Sequence, residues 1–149
     1  MSKTIAVIGL GNMGVPMAAN LVKAGHKVVG FDLVKASCDA AKADGAAIAG
    51  SAVEAVRSAD VAITMLPAGR HVLAVWSEIV PAVREGALVI DCSTIDVDSA
   101  RKAHGMAAAR KLPSIDAPVS GGVGGAKAGT LTFMAGGTAE AFAAAKPGL

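Results

Sequence analysis

Three glycines near the start of the chain stand at a spacing that suits the binding of a diphosphate. Gly9, Gly11 and Gly14 directly follow an apolar run from Ile5 to Ile8. In a G-x-G-x-x-G turn the glycines allow a tight turn, a close approach of a pyrophosphate to the backbone, and contact between the next helix and the strand. The first N–H groups of that helix have no partners within it, so a bound anion satisfies them. The residues predicted to hold the diphosphate of a dinucleotide are Gly9, Leu10, Gly11, Asn12, Met13 and Gly14.

Asp32 supplies a carboxylate at the distance from the glycines that the same chemistry requires. A second strand is predicted from His26 to Phe31, and Asp32 follows it. An acid about 20 residues past the glycine turn accepts hydrogen bonds from the adenosine ribose. Because a carboxylate repels a 2′-phosphate, Asp32 favours NAD over NADP, although the nearby Lys35 weakens this argument. A glycine turn that binds nothing is the alternative, and the order of strand, turn, helix, strand and acid favours the dinucleotide.

The elements that must position these residues alternate along the whole chain. Apolar runs predict strands at 5–8, 26–31, 46–49, 61–66, 88–92, 115–119 and 131–135. Helices are predicted at 15–24, 33–44, 52–58, 97–111 and 138–145, with one or two further helical pieces within 70–84. The alternation predicts an α/β fold: a doubly wound, mostly parallel Rossmann sheet with helices on both faces and an extra edge strand near Leu131 to Ala135.

The ends of these strands are where a ligand is expected. Ligands of such sheets bind outside the carboxyl ends of the strands, at the point where the strand order reverses. Met65, Leu66 and Pro67 follow the fourth predicted strand, and Ser93 and Thr94 follow the fifth. Residues at these strand ends are therefore candidates for contact with the bound cofactor, Met65 through its backbone rather than its side chain.

Several other residues with reactive or polar side chains are predicted to have no chemical role. His26, His71 and His104 are scattered, with no partner acid at a useful spacing, and are predicted to be surface residues rather than acid–base catalysts. Trp76 is predicted to be packed in the core. Cys92 lies in a predicted strand and is expected to be a small buried hydrophobe.

The composition fits one domain and argues against several classes of partner. The chain has 149 residues, of which 53% are hydrophobic and 3% aromatic, and we predict a dinucleotide-binding domain over residues 1–149. No apolar run is long enough to span a bilayer, so no membrane partner is expected. The 14 basic and 12 acidic residues form no basic stripe, which argues against nucleic acid. Cys38 and Cys92 lack metal-ligand spacing, so we expect no metal site and a reduced, cytoplasmic protein.

Several segments together resemble the 3-hydroxyisobutyrate dehydrogenase family of beta-hydroxyacid dehydrogenases, over essentially the whole chain. They are Ile8-Gly-Leu-Gly-Asn-Met-Gly14, Pro16-Met-Ala-Ala-Asn-Leu21, Asp91-Cys-Ser-Thr-Ile95, Asp116-Ala-Pro-Val-Ser-Gly-Gly122 and Gly129-Thr-Leu-Thr-Phe-Met134. The resemblance implies that Asn12 and Met13 contact the cofactor and that Leu66 and Pro67 lie along it. It also implies a hydrogen bond from Thr94 near the nicotinamide, and a helix N-cap is the alternative role of Thr94.

The same resemblance implies a substrate site in the segment after the sixth predicted strand. Ser120 and the backbone N–H groups of Gly121 and Gly122 would hold the substrate carboxylate. The physical basis is that a hydroxyl and two unobstructed amides can cradle an anion without a charged side chain. A simple turn is the alternative role of Ser120.

The function that the resemblance implies is the NAD-dependent oxidation of a small beta-hydroxy acid of the 3-hydroxyisobutyrate type to its semialdehyde, or the reverse. Members of the family have a second, helical domain that supplies a catalytic lysine. We expect this chain to be the cofactor-binding half, with that C-terminal domain absent and no catalytic residue before Leu149. The alternatives are a non-catalytic nucleotide-binding module, in a truncated chain, and an NADPH-dependent semialdehyde reductase. An open edge near Leu131 to Ala135 favours self-association, so a homo-oligomer is among the expected partners.

Overall fold

The computed structural model describes residues 4–10, 14–66, 69–93, 97–116, 119–120, 132–133 and 136–137, and for 97, 115–116 and the last three pairs it describes the backbone alone. Its elements alternate as the sequence predicts, with bounds close to the predicted ones. In chain order they are β1 (Thr4–Ile8), α1 (Gly14–Lys23), β2 (Lys27–Phe31), α2 (Lys35–Ala43), β3 (Ala47–Ile48), α3 (Ala52–Val56), β4 (Val61–Thr64), α4 (Gly69–Ile79), β5 (Leu88–Asp91), α5 (Val97–Ala109), β6 (Ser114–Asp116), β7 (Val119–Ser120), β8 (Thr132–Phe133) and β9 (Gly136–Gly137).

The main sheet has the strand order β3-β2-β1-β4-β5-β6-β9. Neighbouring strands from β3 to β6 pair in parallel, and β9 pairs antiparallel with β6. The order of the strands reverses between β1 and β4, so the carboxyl ends of these two strands flank the expected ligand crevice. The predicted doubly wound, mostly parallel fold is confirmed.

The predicted strands near the C-terminus need a correction. The edge strand of the main sheet is Gly136–Gly137, whereas Thr132–Phe133 pairs with Val119–Ser120 in a separate two-stranded antiparallel sheet. The predicted strand at 115–119 is therefore divided between the two sheets. In the sequence, Pro118 stands between the two strands, and proline has no N–H to donate to a strand ladder. The predicted helix at 138–145 lies outside the described residues.

The two faces of the main sheet carry separate apolar clusters, which explains the uninterrupted apolar sequence of β1. Ile5 and Val7 pack with residues of α1 and α2, while Ala6 and Ile8 pack with residues of α3, α4 and α5. A strand covered by helices on both sides has no polar face, so its sequence shows no alternation. Among the helices described, none combines the length and the apolar character needed to cross a membrane.

Ser51 caps α3 and provides a first test of the fold. Its Oγ accepts a hydrogen bond from the N–H of Glu54 at 3.1 Å, one arm of the capping box that the sequence predicts. We expect Ser51→Ala to lower the free energy of unfolding by about 1 kcal/mol, because an N–H at the start of the helix loses its partner. Urea unfolding measures the change. Ser58→Ala, at an exposed serine just past the same helix, is the control, and equal effects of the two substitutions would contradict the capping role.

Candidate functional site

The glycine turn joins β1 to α1 at the carboxyl edge of the sheet. Gly9 has a φ of +99°, which L side chains rarely adopt, and its N–H donates to the carbonyl oxygen of Phe31 at 3.0 Å. A Cβ at Gly9 would overlap the carbonyl oxygen of Met65, and a Cβ at Gly14 would overlap the carbonyl oxygen of Gly9. Glycine is therefore required at both positions, and α1 begins directly against the turn. Gly11, Asn12 and Met13 lie outside the described residues.

Asp32 is fixed beside this turn by two backbone hydrogen bonds. Its Oδ2 accepts from the N–H of Leu10 at 2.7 Å, and its Oδ1 accepts from the N–H of Val34 at 2.8 Å. A carboxylate has about four acceptor positions, so each oxygen retains capacity for another donor. The structure thus places Asp32, the residue predicted to bind the ribose, beside the glycine turn predicted to bind the diphosphate.

Leu10 takes part in the site through its backbone alone. Its side chain is fully buried, and a Cβ at Gly30 would lie 3.0 Å from Leu10 Cδ1. The side chain therefore anchors the turn on β2. Leu33 and Val34 are the large hydrophobic residues exposed beside Asp32, with 93% and 56% of their surface accessible. The chain directly after Asp32 is therefore exposed to solvent.

Met65 and Leu66 lie on the other side of the glycine turn, at the end of β4. The N–H of Met65 donates to the carbonyl oxygen of Ile8 at 2.9 Å, and the N–H of Leu66 donates to Ser93 Oγ at 2.7 Å. The Met65 side chain packs partly against the core, as predicted, while its carbonyl abuts Gly9. Pro67 and Thr94 lie outside the described residues.

A buried polar network at the ends of β4 and β5 was missed by the sequence analysis. Thr64 and Asp91 are partners in the parallel register, and Thr64 Oγ1 donates to Asp91 Oδ1 at 2.9 Å. Trp76 Nε1 donates to Thr64 Oγ1 at 3.1 Å, and the N–H of Ser93 donates to Asp91 Oδ1 at 3.1 Å. All four residues are buried, and Trp76 is packed as predicted. The available signal was a threonine and an aspartate as the last residues of two otherwise apolar strands.

Cys92 follows Asp91 and is buried, as the sequence predicts. Burial, with a smaller contribution from the Asp91 charge, raises the pKa of the Cys92 thiol from 9.0 to about 12. The raised pKa keeps the sulfur protonated at neutral pH, and a protonated thiol is a poor nucleophile. Cys38 is half-buried, and its Sγ donates to the carbonyl oxygen of Asp32 at 3.3 Å.

The two cysteines should therefore differ in reactivity. We expect iodoacetamide to alkylate Cys38 in the folded chain at pH 7 and to leave Cys92 unmodified. At this pH the thiolate fraction of Cys92 is about a thousandfold lower than that of a thiol with the ordinary pKa, and the buried sulfur is also inaccessible to the reagent. Peptide mass spectrometry measures the labelling, and the same reaction in urea is the control in which both residues should react. Equal labelling rates in the folded chain would contradict the described burial.

The histidines are less exposed than predicted. His26, His71 and His104 are all half-buried, and His104 Nδ1 lies 2.6 Å from Ser114 Oγ. Ser114 begins β6, so His104 lies at the sheet edge opposite the glycine turn. In the part of the chain that the structure describes, no group of three or more histidine, cysteine, aspartate or glutamate side chains is arranged to hold a metal ion.

The predicted substrate residues are described only in part. Ser120 is the last residue of β7, and its backbone pairs with Thr132 of β8. Gly121 and Gly122 lie outside the described residues. The assignment of these three residues to a substrate carboxylate remains a prediction.

Comparison with known proteins identifies the family. A family model described as the NAD binding domain of 6-phosphogluconate dehydrogenase matches residues 4–149. The chain belongs to this family. Its match over nearly the whole sequence agrees with the glycine turn and Asp32 at the carboxyl edge of the sheet.

Proteins similar to this NAD-binding domain include two named dehydrogenases. The solved structure of Mycobacterium tuberculosis 3-hydroxyisobutyrate dehydrogenase with L-serine superposes with a TM-score of 0.98 at 50% identity, covering 100% of this chain and 51% of that one. The NAD-dependent L-serine dehydrogenase of Pseudomonas aeruginosa is 53% identical over 148 residues, 97% of this chain and 50% of that protein. Psf3, solved with NADP+ and 2-OPP, has a TM-score of 0.90 at 28% identity, covering 96% and 52%.

These matches confirm the resemblance to the 3-hydroxyisobutyrate dehydrogenases that the motifs indicated. The chain spans about half the length of the relatives that it matches.

Proposed function

We propose that this chain is the cofactor-binding half of an NAD-dependent dehydrogenase that oxidises a small beta-hydroxy acid of the 3-hydroxyisobutyrate or L-serine type to its semialdehyde, or catalyses the reverse. The observation that carries the proposal is the Asp32 carboxylate, held by the N–H of Leu10 at the glycine turn and placed at the reversal of strand order. The relatives named for these two substrates support the substrate class.

Each half of the dinucleotide is assigned to its own side of the crevice in this proposal. The first N–H groups of a helix have no partners within it, and those of α1, with the positive end of the helix dipole, are assigned to the diphosphate. Asp32 accepts from the hydroxyls of the adenosine ribose at the end of β2. The nicotinamide half then lies over the ends of β4 and β5, along Met65, Leu66, Pro67 and Thr94. When bound there, the nicotinamide ring supplies the acceptor or donor of the hydride.

The substrate is proposed to lie beside the nicotinamide, with its carboxylate on Ser120 and the N–H groups of Gly121 and Gly122. We assign the proton transfer at the substrate oxygen to a lysine of the helical domain that the family resemblance implies.

Domain organisation is thus part of the proposal, with residues 1–149 as the dinucleotide-binding domain. Free Cys38 and Cys92 support a reducing, cytoplasmic compartment.

Asp32 supports NAD over NADP as the cofactor. A 2′-phosphate on the adenosine ribose would approach the fixed carboxylate directly, and like charges at that distance repel. Lys35 is exposed at the first residue of α2 and offers partial compensation. The presence of NADP+ in Psf3, which is 28% identical, keeps the phosphorylated cofactor as the second candidate.

Calorimetric titration and a steady-state assay test the proposal together. We expect NAD to bind more tightly than NADP to the chain of residues 1–149. With 3-hydroxyisobutyrate, L-serine or tartronate semialdehyde as substrate, turnover should lie below that of an intact two-domain dehydrogenase by roughly 10²- to 10⁴-fold, the usual contribution of a general acid or base. Failure to bind either cofactor would refute the assignment. Turnover equal to the intact enzyme would refute the placement of the proton-transfer group outside these residues.

A further inference from the structure

The loop after β4 is tied to the loop after β5 through buried polar side chains. The N–H of Leu66 donates to Ser93 Oγ, and the N–H of Ser93 donates to the carboxyl group of Asp91. The same Asp91 oxygen accepts from Thr64, whose hydroxyl in turn accepts from the Trp76 indole. A continuous chain of hydrogen bonds therefore runs from the backbone at Leu66 to a helix on one face of the sheet.

We propose that Thr64, Asp91 and Ser93 are positioning residues that hold the ends of β4 and β5 in the geometry that receives the nicotinamide half of the cofactor. The inference rests on the proposed function, since it presupposes a bound dinucleotide. The three residues act through the backbone at Leu66 and Ser93 and do not contact the cofactor themselves, because Thr64, Asp91 and Ser93 are only 0%, 2% and 2% exposed.

Topology separates this network from the adenosine side of the crevice. Asp32 lies at the end of β2, on one side of β1, whereas the network joins β4 and β5 on the other side. A dinucleotide that crosses the reversal of strand order with its adenosine at β2 must place its nicotinamide over β4 and β5. A change in the network should therefore alter binding of the nicotinamide half and leave binding of the adenosine diphosphate half as it is.

Other positions along β4 and β5 pair without polar side chains. The neighbouring partners in the same register, Ala62 with Val89 and Ile63 with Ile90, are apolar. Burying a carboxyl group is unfavourable unless hydrogen bonds compensate, and well-packed apolar residues often replace buried polar groups without loss of stability. A hydrogen-bonded polar network does, however, fix one geometry more narrowly than apolar packing does. This property suits a pair of loops that must present a defined surface to a ligand.

A pair of substitutions at Thr64 isolates the hydroxyl. Thr64→Val keeps the shape of the side chain and removes the donor to Asp91, whereas Thr64→Ser keeps the hydroxyl and removes a methyl group. We measure the dissociation constants of NAD and of ADP-ribose, which lacks the nicotinamide, for each folded variant by calorimetry. For Thr64→Val we expect NAD affinity to fall by roughly three- to tenfold, the equivalent of one lost hydrogen bond, with ADP-ribose affinity unchanged. Thr64→Ser should restore the NAD affinity of the parent chain.

Ser93→Ala provides a second route if Thr64→Val folds poorly, because it removes the acceptor of the Leu66 N–H directly. Val56→Ala is the stability control, since Val56 is fully buried in the same apolar cluster as Trp76 and makes no polar contact through its side chain. The single tryptophan adds an optical readout. Its emission overlaps the absorption of reduced nicotinamide, so energy is transferred from Trp76 to bound NADH. At a given NADH concentration, Thr64→Val and Ser93→Ala should bind less NADH than the parent chain and should therefore show less energy transfer.

The outcomes separate the inference from the function on which it rests. A parent chain that binds neither NAD nor ADP-ribose refutes the proposed function. A parent chain that binds both, with the same ratio of affinities in Thr64→Val and Ser93→Ala, refutes the positioning role alone. This includes the case in which the variants lose affinity for NAD and for ADP-ribose by the same factor. A parent chain that binds NAD no more tightly than ADP-ribose would also refute the positioning role, because the network would then contribute nothing specific to the nicotinamide half.

Discussion

Replacement of Gly14 by alanine is expected to abolish dinucleotide binding and to lower the free energy of unfolding by about 1–3 kcal/mol, the range for forced overpacking. The reason is the overlap of an added Cβ with the carbonyl oxygen of Gly9, a backbone atom that cannot rotate away. The start of α1 must then move off the strand, and its N–H groups leave the position at which a diphosphate would be held. Urea unfolding and NAD titration of the same variant measure the two effects.

Gly105→Ala is the matched control for this substitution. Gly105 lies within α5, and an added Cβ there would meet no atom within 4 Å. Because glycine is a poor helix former, alanine at this position should raise the free energy of unfolding by roughly 0.5–1 kcal/mol and leave NAD binding unchanged. If Gly14→Ala unfolded at the urea midpoint of the parent chain and bound NAD normally, the described contact between α1 and the glycine turn would be wrong.

Asp32→Asn should have the second largest effect, and its main consequence is on cofactor choice. The substitution keeps the size of the side chain but removes the negative charge and replaces one acceptor oxygen by an NH2 group. That group cannot accept from a ribose hydroxyl, nor from the N–H of Leu10 or Val34. Hydrogen bonds to charged groups contribute about 1.5–3 kcal/mol, so we expect NAD affinity to fall by roughly 10- to 100-fold. The repulsion of a 2′-phosphate is lost at the same time, so NADP affinity should fall less or rise, and the preference for NAD should narrow.

The control for this charge change is Asp39→Asn, which removes a carboxylate from the exposed surface of α2. Titration of both cofactors into the two variants gives four dissociation constants. We expect a changed ratio of NAD to NADP affinity for Asp32→Asn alone. If the ratio of NAD to NADP affinity were the same in the parent chain and in Asp32→Asn, Asp32 would not contact the adenosine ribose, whatever the effect of the substitution on folding.

The parts of the fold that sequence predicts are those set by local pattern. The apolar run of β1 reflects helices on both faces of the sheet, and the glycine spacing reflects two close backbone contacts, at Gly9 and Gly14. Asp32 could be placed in the site because its distance from the glycines along the chain is characteristic of the fold. These signals lie within one βαβ unit and need no knowledge of distant pairing.

The parts that sequence did not predict depend on pairing between distant segments. Thr64 and Asp91 become neighbours only through the register of β4 and β5, and nothing local to either residue indicates the other. The edge strand Gly136–Gly137 has no side chains to give a strand pattern, so its antiparallel pairing with β6 had no sequence signal. The substrate role of Ser120 and the cofactor roles of residues 9–14, Asp32, Met65, Leu66, Pro67 and Thr94 remain predictions.

The central claim is that a dinucleotide lies across the reversal of strand order, with its diphosphate at the start of α1 and its adenosine ribose on Asp32. A crystal structure of the chain grown with saturating NAD tests it most directly. The account predicts diphosphate oxygens within hydrogen-bond distance of the backbone N–H groups between Gly11 and Val15, and ribose hydroxyls within the same distance of the Asp32 carboxylate. NAD bound at another surface, or bound with its adenosine over β5 and its nicotinamide beside Asp32, would contradict it.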